Sequence, residues 1–101
     1  MTDDQINAAI AEACGWWGNR KGNCMRPPNR TDMYCEIPNY CNDLNAMHEA
    51  EKTLSETNMF VMAHHIERLV SRHGQHYFHA TARQRAEAFL RTLGLWKEVQ
   101  K

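Results

Sequence analysis

A chain of 101 residues, 43% hydrophobic and 24% charged, fits one folded domain with a modest core rather than a disordered segment or a large cofactor-filled interior. Its 12 basic and 12 acidic residues cancel, which argues against nucleic-acid binding driven by a basic excess. No apolar run approaches the length needed to span a membrane.

The opening Met1-Thr2-Asp3-Asp4-Gln5 is acidic and starts a helix, unlike a secretory leader. The expected location is therefore the cytoplasm, with the four cysteines reduced. Thr2 and Gln5 have the spacing of a capping box. Ile6, Ala9, Ile10 and Ala13 then recur at helical spacing, and Gly15 stops the helix.

Residues 15–41 contain Gly15, Gly18, Gly22, Pro27, Pro28 and Pro38 and show no sustained periodicity, which predicts a long loop. Its strand-like pieces are Trp16-Trp17 and Met33-Tyr34-Cys35. A second helix follows Pro38, with Tyr40, Leu44, Met47 and Leu54 on one stripe. Ser55 can cap a third helix from about Glu56 to His73, with Met59, Met62, Ile66, Leu69 and Val70 facing inward and Gly74 as its stop. Tyr77-Phe78-His79 is a short strand candidate. Thr81 and Gln84 form a second capping box, and Ala82, Ala86, Phe89, Leu90 and Leu93 stripe the last helix. Gly94 ends it, and Leu95-Trp96 is expected to fold back as a hydrophobic lock. The predicted core is Ile10, Met62, Ile66, Phe89, Leu90 and Leu93, drawn from the first, third and fourth helices.

Formal charge is unevenly placed. Residues 1–14 carry −3, residues 15–31 +4, residues 32–67 −6 and residues 68–101 +5. A surface polarised in this way can hold an anion or a second copy of itself. The basic stretch holds Arg20, Lys21, Arg26 and Arg30 with no acid among them, beside Trp16 and Trp17. Basic residues interleaved with aromatics can grip nucleotides or anchor a protein interface. The plainer alternative is a solvated loop over two core tryptophans. On either view, reversing Arg20 and Arg26 is expected to leave folding intact, because solvated charges contribute little.

His65, Arg68 and Arg72 share a helical face, either as a solvated polar face or as an anion site assisted by the amides at the Thr81 helix start. Cys14, Cys24, Cys35 and Cys41 lie in or beside the loop. They are enough for a structural zinc site, but the spacings are wide and no CxxC pair occurs, so no metal is expected. Catalytic signatures are lacking too. Ser55 and Ser71 sit in no nucleophile elbow, there is no phosphate-binding glycine loop, and His48-Glu49 lacks a second histidine. Glu49 and Glu51 read as a surface pair on the second helix.

Three stretches carry a resemblance. They are Ala13-Cys14-Gly15-Trp16, the run from Ile37-Pro38-Asn39-Tyr40-Cys41-Asn42-Asp43-Leu44-Asn45-Ala46-Met47-His48-Glu49-Ala50-Glu51 to Lys52, and the run from His79-Ala80-Thr81-Ala82-Arg83-Gln84-Arg85-Ala86-Glu87-Ala88-Phe89-Leu90-Arg91-Thr92-Leu93 to Gly94. Together they resemble small tailed-phage and prophage proteins of the phage ABA sandwich domain type. The resemblance implies helices layered on a small sheet; it implies no reaction and brings no site residue. Asn58 to His73 read as helix where that pattern has more strand. The expected architecture is therefore a single α+β domain over residues 1–101, with three to four helices on a two- to three-stranded sheet and a long Gly/Pro-containing loop.

The expected role is that of a small phage-encoded, non-enzymatic protein without cofactor, acting on a host protein in host modulation or counter-defence. The alternatives are sequestration of a nucleotide or other small anion, and a structural zinc module. A homo-oligomer is compatible with all three. Candidate binding residues are Trp16, Trp17, Arg20, Lys21, Arg26, Arg30, Arg68 and Arg72.

Overall fold

Both capping boxes form, and they fix the two helices that bracket the chain. In the computed structural model, which describes residues 1–28, 33–71 and 80–97, α1 spans Asp3–Ala13. Thr2 Oγ1 accepts from the Gln5 amide at 3.2 Å, and Gln5 Oε1 accepts from the Thr2 amide at 2.9 Å. Thr81 and Gln84 repeat this exchange at the start of the last helix, Ala82–Thr92. Each box satisfies amides that a helix start would otherwise leave unpaired.

Three short strands follow α1: β1 (Trp17–Lys21), β2 (Cys24–Arg26) and β3 (Cys35–Glu36). They form one antiparallel sheet in the order β1-β2-β3. The region expected as a loop over 15–41 thus carries the three strands of a short meander. Gly22, at φ +59°, takes the first of the two turn positions joining Lys21 to its partner Cys24, as a tight hairpin requires. Trp17 pairs with Arg26 while Lys21 pairs with Cys24, so β1 bulges between them, and Gly18 sits there at φ +88°.

Three further helices complete the domain: α2 (Leu44–Glu51), α3 (Glu56–Ser71) and α4 (Ala82–Thr92). The expectation of an α+β fold dominated by helices holds. α2 starts later than Pro38, because Asp43 caps it by accepting from the amides of Asn45 and Ala46. Tyr40 therefore lies in the preceding turn. Ser55 caps α3 through the Asn58 amide.

α4 is the hub and packs against α1, α2 and α3. Its Ala86, Ala88, Phe89 and Leu90 are fully buried. Burial on several sides explains Ala88, which a single apolar stripe does not reach. Ile6, Ile10, Met62, Ile66 and Val70 close around this helix. The core is wider than three helices supply: Met25 of β2, Ile37, Tyr40, Cys41, Met47 and Ala50 belong to it, whereas Leu93 is only half-buried. Leu44 and Met59, placed on inward stripes by spacing, are exposed. The fold-back after Gly94 is present, with the Leu95 amide donating to the Leu90 carbonyl and Trp96 packed on the core. The strand candidate Tyr77-Phe78-His79 and the Gly74 stop lie outside the described residues.

Glu51 is no surface carboxylate. It receives Arg85 in a two-pronged ion pair between α2 and α4, with Nε to Oε2 at 3.0 Å and Nη2 to Oε1 as the second contact. The two side chains are only 16% (Arg85) and 13% (Glu51) exposed.

Candidate functional site

The sheet has two unlike faces. Met25 points into the core, and its cross-strand partner Cys35 lies on the same face. Arg26 and its partner Trp17 take the outer face. There the Arg26 guanidinium carbon sits 4.7 Å from the Trp17 ring centre and 5.0 Å from that of Tyr34, and Lys21 Nζ lies 5.0 Å from the same tyrosine ring. The result is a ladder of two cations and two aromatic rings. Each such contact is worth about 0.5–1 kcal/mol where water reaches it and more where it does not.

Gly18 lies in the bulge beside the ladder. A Cβ at this position would lie 3.4 Å from Tyr34 Oη and 3.7 Å from Arg26 Cδ, and its backbone conformation strains any side chain. Trp17 keeps 40% of its surface exposed. Arg26 is half-buried, and its Nε is buried without a hydrogen-bond partner among the described residues. It is therefore not the solvated charge that sequence implies, and its reversal would disturb the sheet. Lys21 is exposed.

The helices treat their cations differently. The described ion pairs are Lys52–Glu49, Arg83–Asp3, Arg85–Glu51 and Arg91–Glu87, all with carboxylates of helical residues. None of these described pairs includes Arg20, Lys21 or Arg26. On the sheet, Lys21 and Arg26 contact aromatic rings, and no described ion pair takes up their charge.

The structure divides the remaining candidates. Trp16 is half-buried against the core. Arg20 turns toward α1, where Nη1 donates to the Asp4 carbonyl at 3.3 Å beside a groove of ≈ 1110 Å³ lined by Ala9, Ala13 and Leu95. Arg68 stands on α3, which packs on α4. Burial, with the Arg91, His64 and Arg68 neighbours next, pushes His65 below the ordinary histidine range. His65 is thus neutral at pH 7 and brings no charge to an anion site there. Arg30 and Arg72 lie outside the described residues. Tyr34, the second ring of the ladder, was legible only as part of a strand-like piece.

The four cysteines are not assembled as a zinc set. Cys24 and Cys35 pair with Glu36 and Met25 in adjacent registers, which puts their side chains on opposite faces. Cys41 is buried against α1, its Sγ 3.8 Å from the Asp3 carbonyl oxygen. Burial, with the Asp3 charge next, pushes its thiol up to about 11. Cys14 is half-buried, and burial raises it as well. Among the described residues no three His, Cys, Asp or Glu side chains are grouped to hold a metal ion, and no helix is long and apolar enough to cross a membrane.

Fold and site together define an α+β domain that presents a cationic, aromatic sheet face beside a helical core. No protein-family model, curated protein or solved structure matches the chain.

Proposed function

We propose that this protein is a small non-enzymatic binder that docks an acidic surface of a host protein on the outer face of its sheet. The observation that carries the reading is the contrast in charge pairing. Arg83, Arg85 and Arg91 of α4 meet carboxylates, two of them with the Trp96 ring as well, whereas Lys21 and Arg26 belong to no described ion pair and meet the rings of Trp17 and Tyr34. Side chains held in place in advance lose little entropy on binding, and Trp, Tyr and Arg most often dominate interface energies. The likeness of its two long motifs to phage proteins supports a role in the cytoplasm of an infected cell, in host modulation or counter-defence.

The same groups could hold a small anion with a planar ring, such as a nucleotide, with the exposed Trp17 ring as its stacking surface. One experiment separates the two. Tagged parent protein and Lys21→Glu are used as bait in host lysate, with and without added nucleotides, and captured proteins are identified by mass spectrometry. The proposal expects a partner held by the parent, lost by Lys21→Glu and indifferent to nucleotide. Equal capture by both baits overturns it. A thermal shift of the parent with nucleotide and no lost partner transfers the site to the small-ligand reading.

A further inference from the structure

We propose that the protein also associates with itself head to tail, the outer stripe of α3 in one copy seating on the cationic sheet face of the next. The inference begins with Phe60. It is 72% exposed, the most exposed large apolar side chain described, and Met59 and Val61 beside it are exposed as well. Single apolar residues on a surface are ordinary. Phe60 differs in its setting. Glu56, Phe60, His64 and Glu67 recur at helical spacing on the side of α3 away from Met62, Ile66 and Val70, which pack inward. Neither Glu56 nor Glu67 belongs to a described ion pair. The stripe is thus an aromatic knob between two carboxylates.

The sheet face is its counterpart in both charge and shape. Lys21 and Arg26 supply cations that belong to no described ion pair, and Trp17 supplies an exposed ring against which Phe60 can pack. The molecule as a whole carries no net charge. Opposed patches on a neutral protein attract other copies at close range without long-range repulsion between them.

The two patches sit against different helices. α3 packs on α4, while the sheet adjoins α1, where Trp16 and Arg20 reach the Ala11 and Asp4 carbonyls. In the proposed assembly, contact between knob and sheet joins different copies through a heterologous interface: each copy uses one patch and leaves the other open for the next. This goes beyond the proposed docking role but shares its sheet face, so a second copy and an acidic partner compete for one surface.

The test is sedimentation of the full chain, at about 0.01 M and about 1 M salt, conditions that move the screening length from roughly 30 Å to 3 Å. The average mass of the parent should rise above 11.8 kDa with concentration at low salt and fall back toward it at high salt. Phe60→Ser and Lys21→Glu each alter an exposed side chain at one end only. Each alone should stay monomeric with an unchanged circular dichroism melt. Mixed in equal amounts, they should form a dimer that grows no further, because one sound knob meets one sound sheet face. Trp17→Ser, mixed with Phe60→Ser, should behave like Lys21→Glu and covers the case in which that variant folds poorly. A parent that is monomeric across roughly a hundredfold range of concentration at low salt overturns the inference. So do single variants that associate like the parent, or a mixture that stays monomeric. None of these outcomes affects acidic-partner binding by the parent, so the proposed function can stand or fall separately.

Discussion

The ion pair between Glu51 and Arg85 should be the most costly polar contact to break. Glu51→Leu removes the carboxylate and leaves the Arg85 guanidinium facing an apolar side chain. An exposed pair contributes about 0.2–1 kcal/mol, while breaking a fully buried one costs about 3–5 kcal/mol. At 13% and 16% exposure, and with two prongs, this pair lies nearer the buried limit. We predict a loss of about 2–3 kcal/mol, a large share of the roughly 5–15 kcal/mol by which such domains are stable. In urea, with a slope of about 1–3 kcal/mol per molar, the midpoint should fall by roughly 0.7–3 M. The double variant Glu51→Leu/Arg85→Met should recover part of that loss, since an apolar pair of similar volume fills the same gap between α2 and α4. Urea denaturation of the four proteins in the cycle decides it. If Glu51→Leu stays within about 0.5 kcal/mol of the parent, as surface substitutions do, the pair is solvated and the reasoning fails.

Phe89→Ala should cost about 3–5 kcal/mol by equilibrium unfolding, because Phe89 is fully buried on the central helix. A cost near that of a surface change would remove α4 from the centre of the fold. Gly18→Ala should cost about 1–2 kcal/mol, since it forces a side chain onto a left-handed backbone position beside Tyr34. It should also alter the near-ultraviolet circular dichroism of the tryptophans; an unchanged spectrum would mean that the ladder does not depend on Gly18. The Cys41 thiol has its folded value raised from 9.0 to about 11, so the neutral thiol is the stable form in the fold. Stability should therefore be full below pH 9 and decline as pH rises toward 11, and Cys41→Ala should flatten that decline. Equal alkaline sensitivity in parent and variant would show that Cys41 is not its cause.

What could be read from sequence was local. The two capping boxes, Thr2 with Gln5 and Thr81 with Gln84, lie within single turns, and both form. Stripes such as Met62, Ile66 and Val70 were legible because helical spacing reports one buried face. The sheet was legible only in part: the strand-like Trp16-Trp17 and Met33-Tyr34-Cys35 touch β1 and β3, but the strand extents and β2 were not, for a physical reason. All five residues of β1 are exposed, and β2 buries only Met25, so no alternation of apolar and polar residues marks the strands. Gly18 and Gly22 look like loop punctuation, yet one makes a bulge and the other a hairpin turn. Basic and aromatic residues near one another in sequence did point to Trp17, Lys21 and Arg26. That Arg20 leaves the group for α1, and that Tyr34 joins it from β3's side, depends on strand register. Glu51 and Arg85 are 34 residues apart, and nothing in their spacing announces the pair.

The central claim is that Lys21 and Arg26, held by Trp17 and Tyr34, form the docking face for an acidic protein. The most direct measurement is calorimetric titration of the captured partner against the parent and against Lys21→Glu, at low and high salt, with melting curves run alongside. The account predicts that Lys21→Glu melts like the parent, since an exposed charge contributes at most about 1 kcal/mol to folding. It predicts that the same variant binds at least roughly tenfold more weakly, and that salt weakens the parent more than the variant. Equal affinity and equal salt dependence in the two proteins would contradict it and move the site off the sheet.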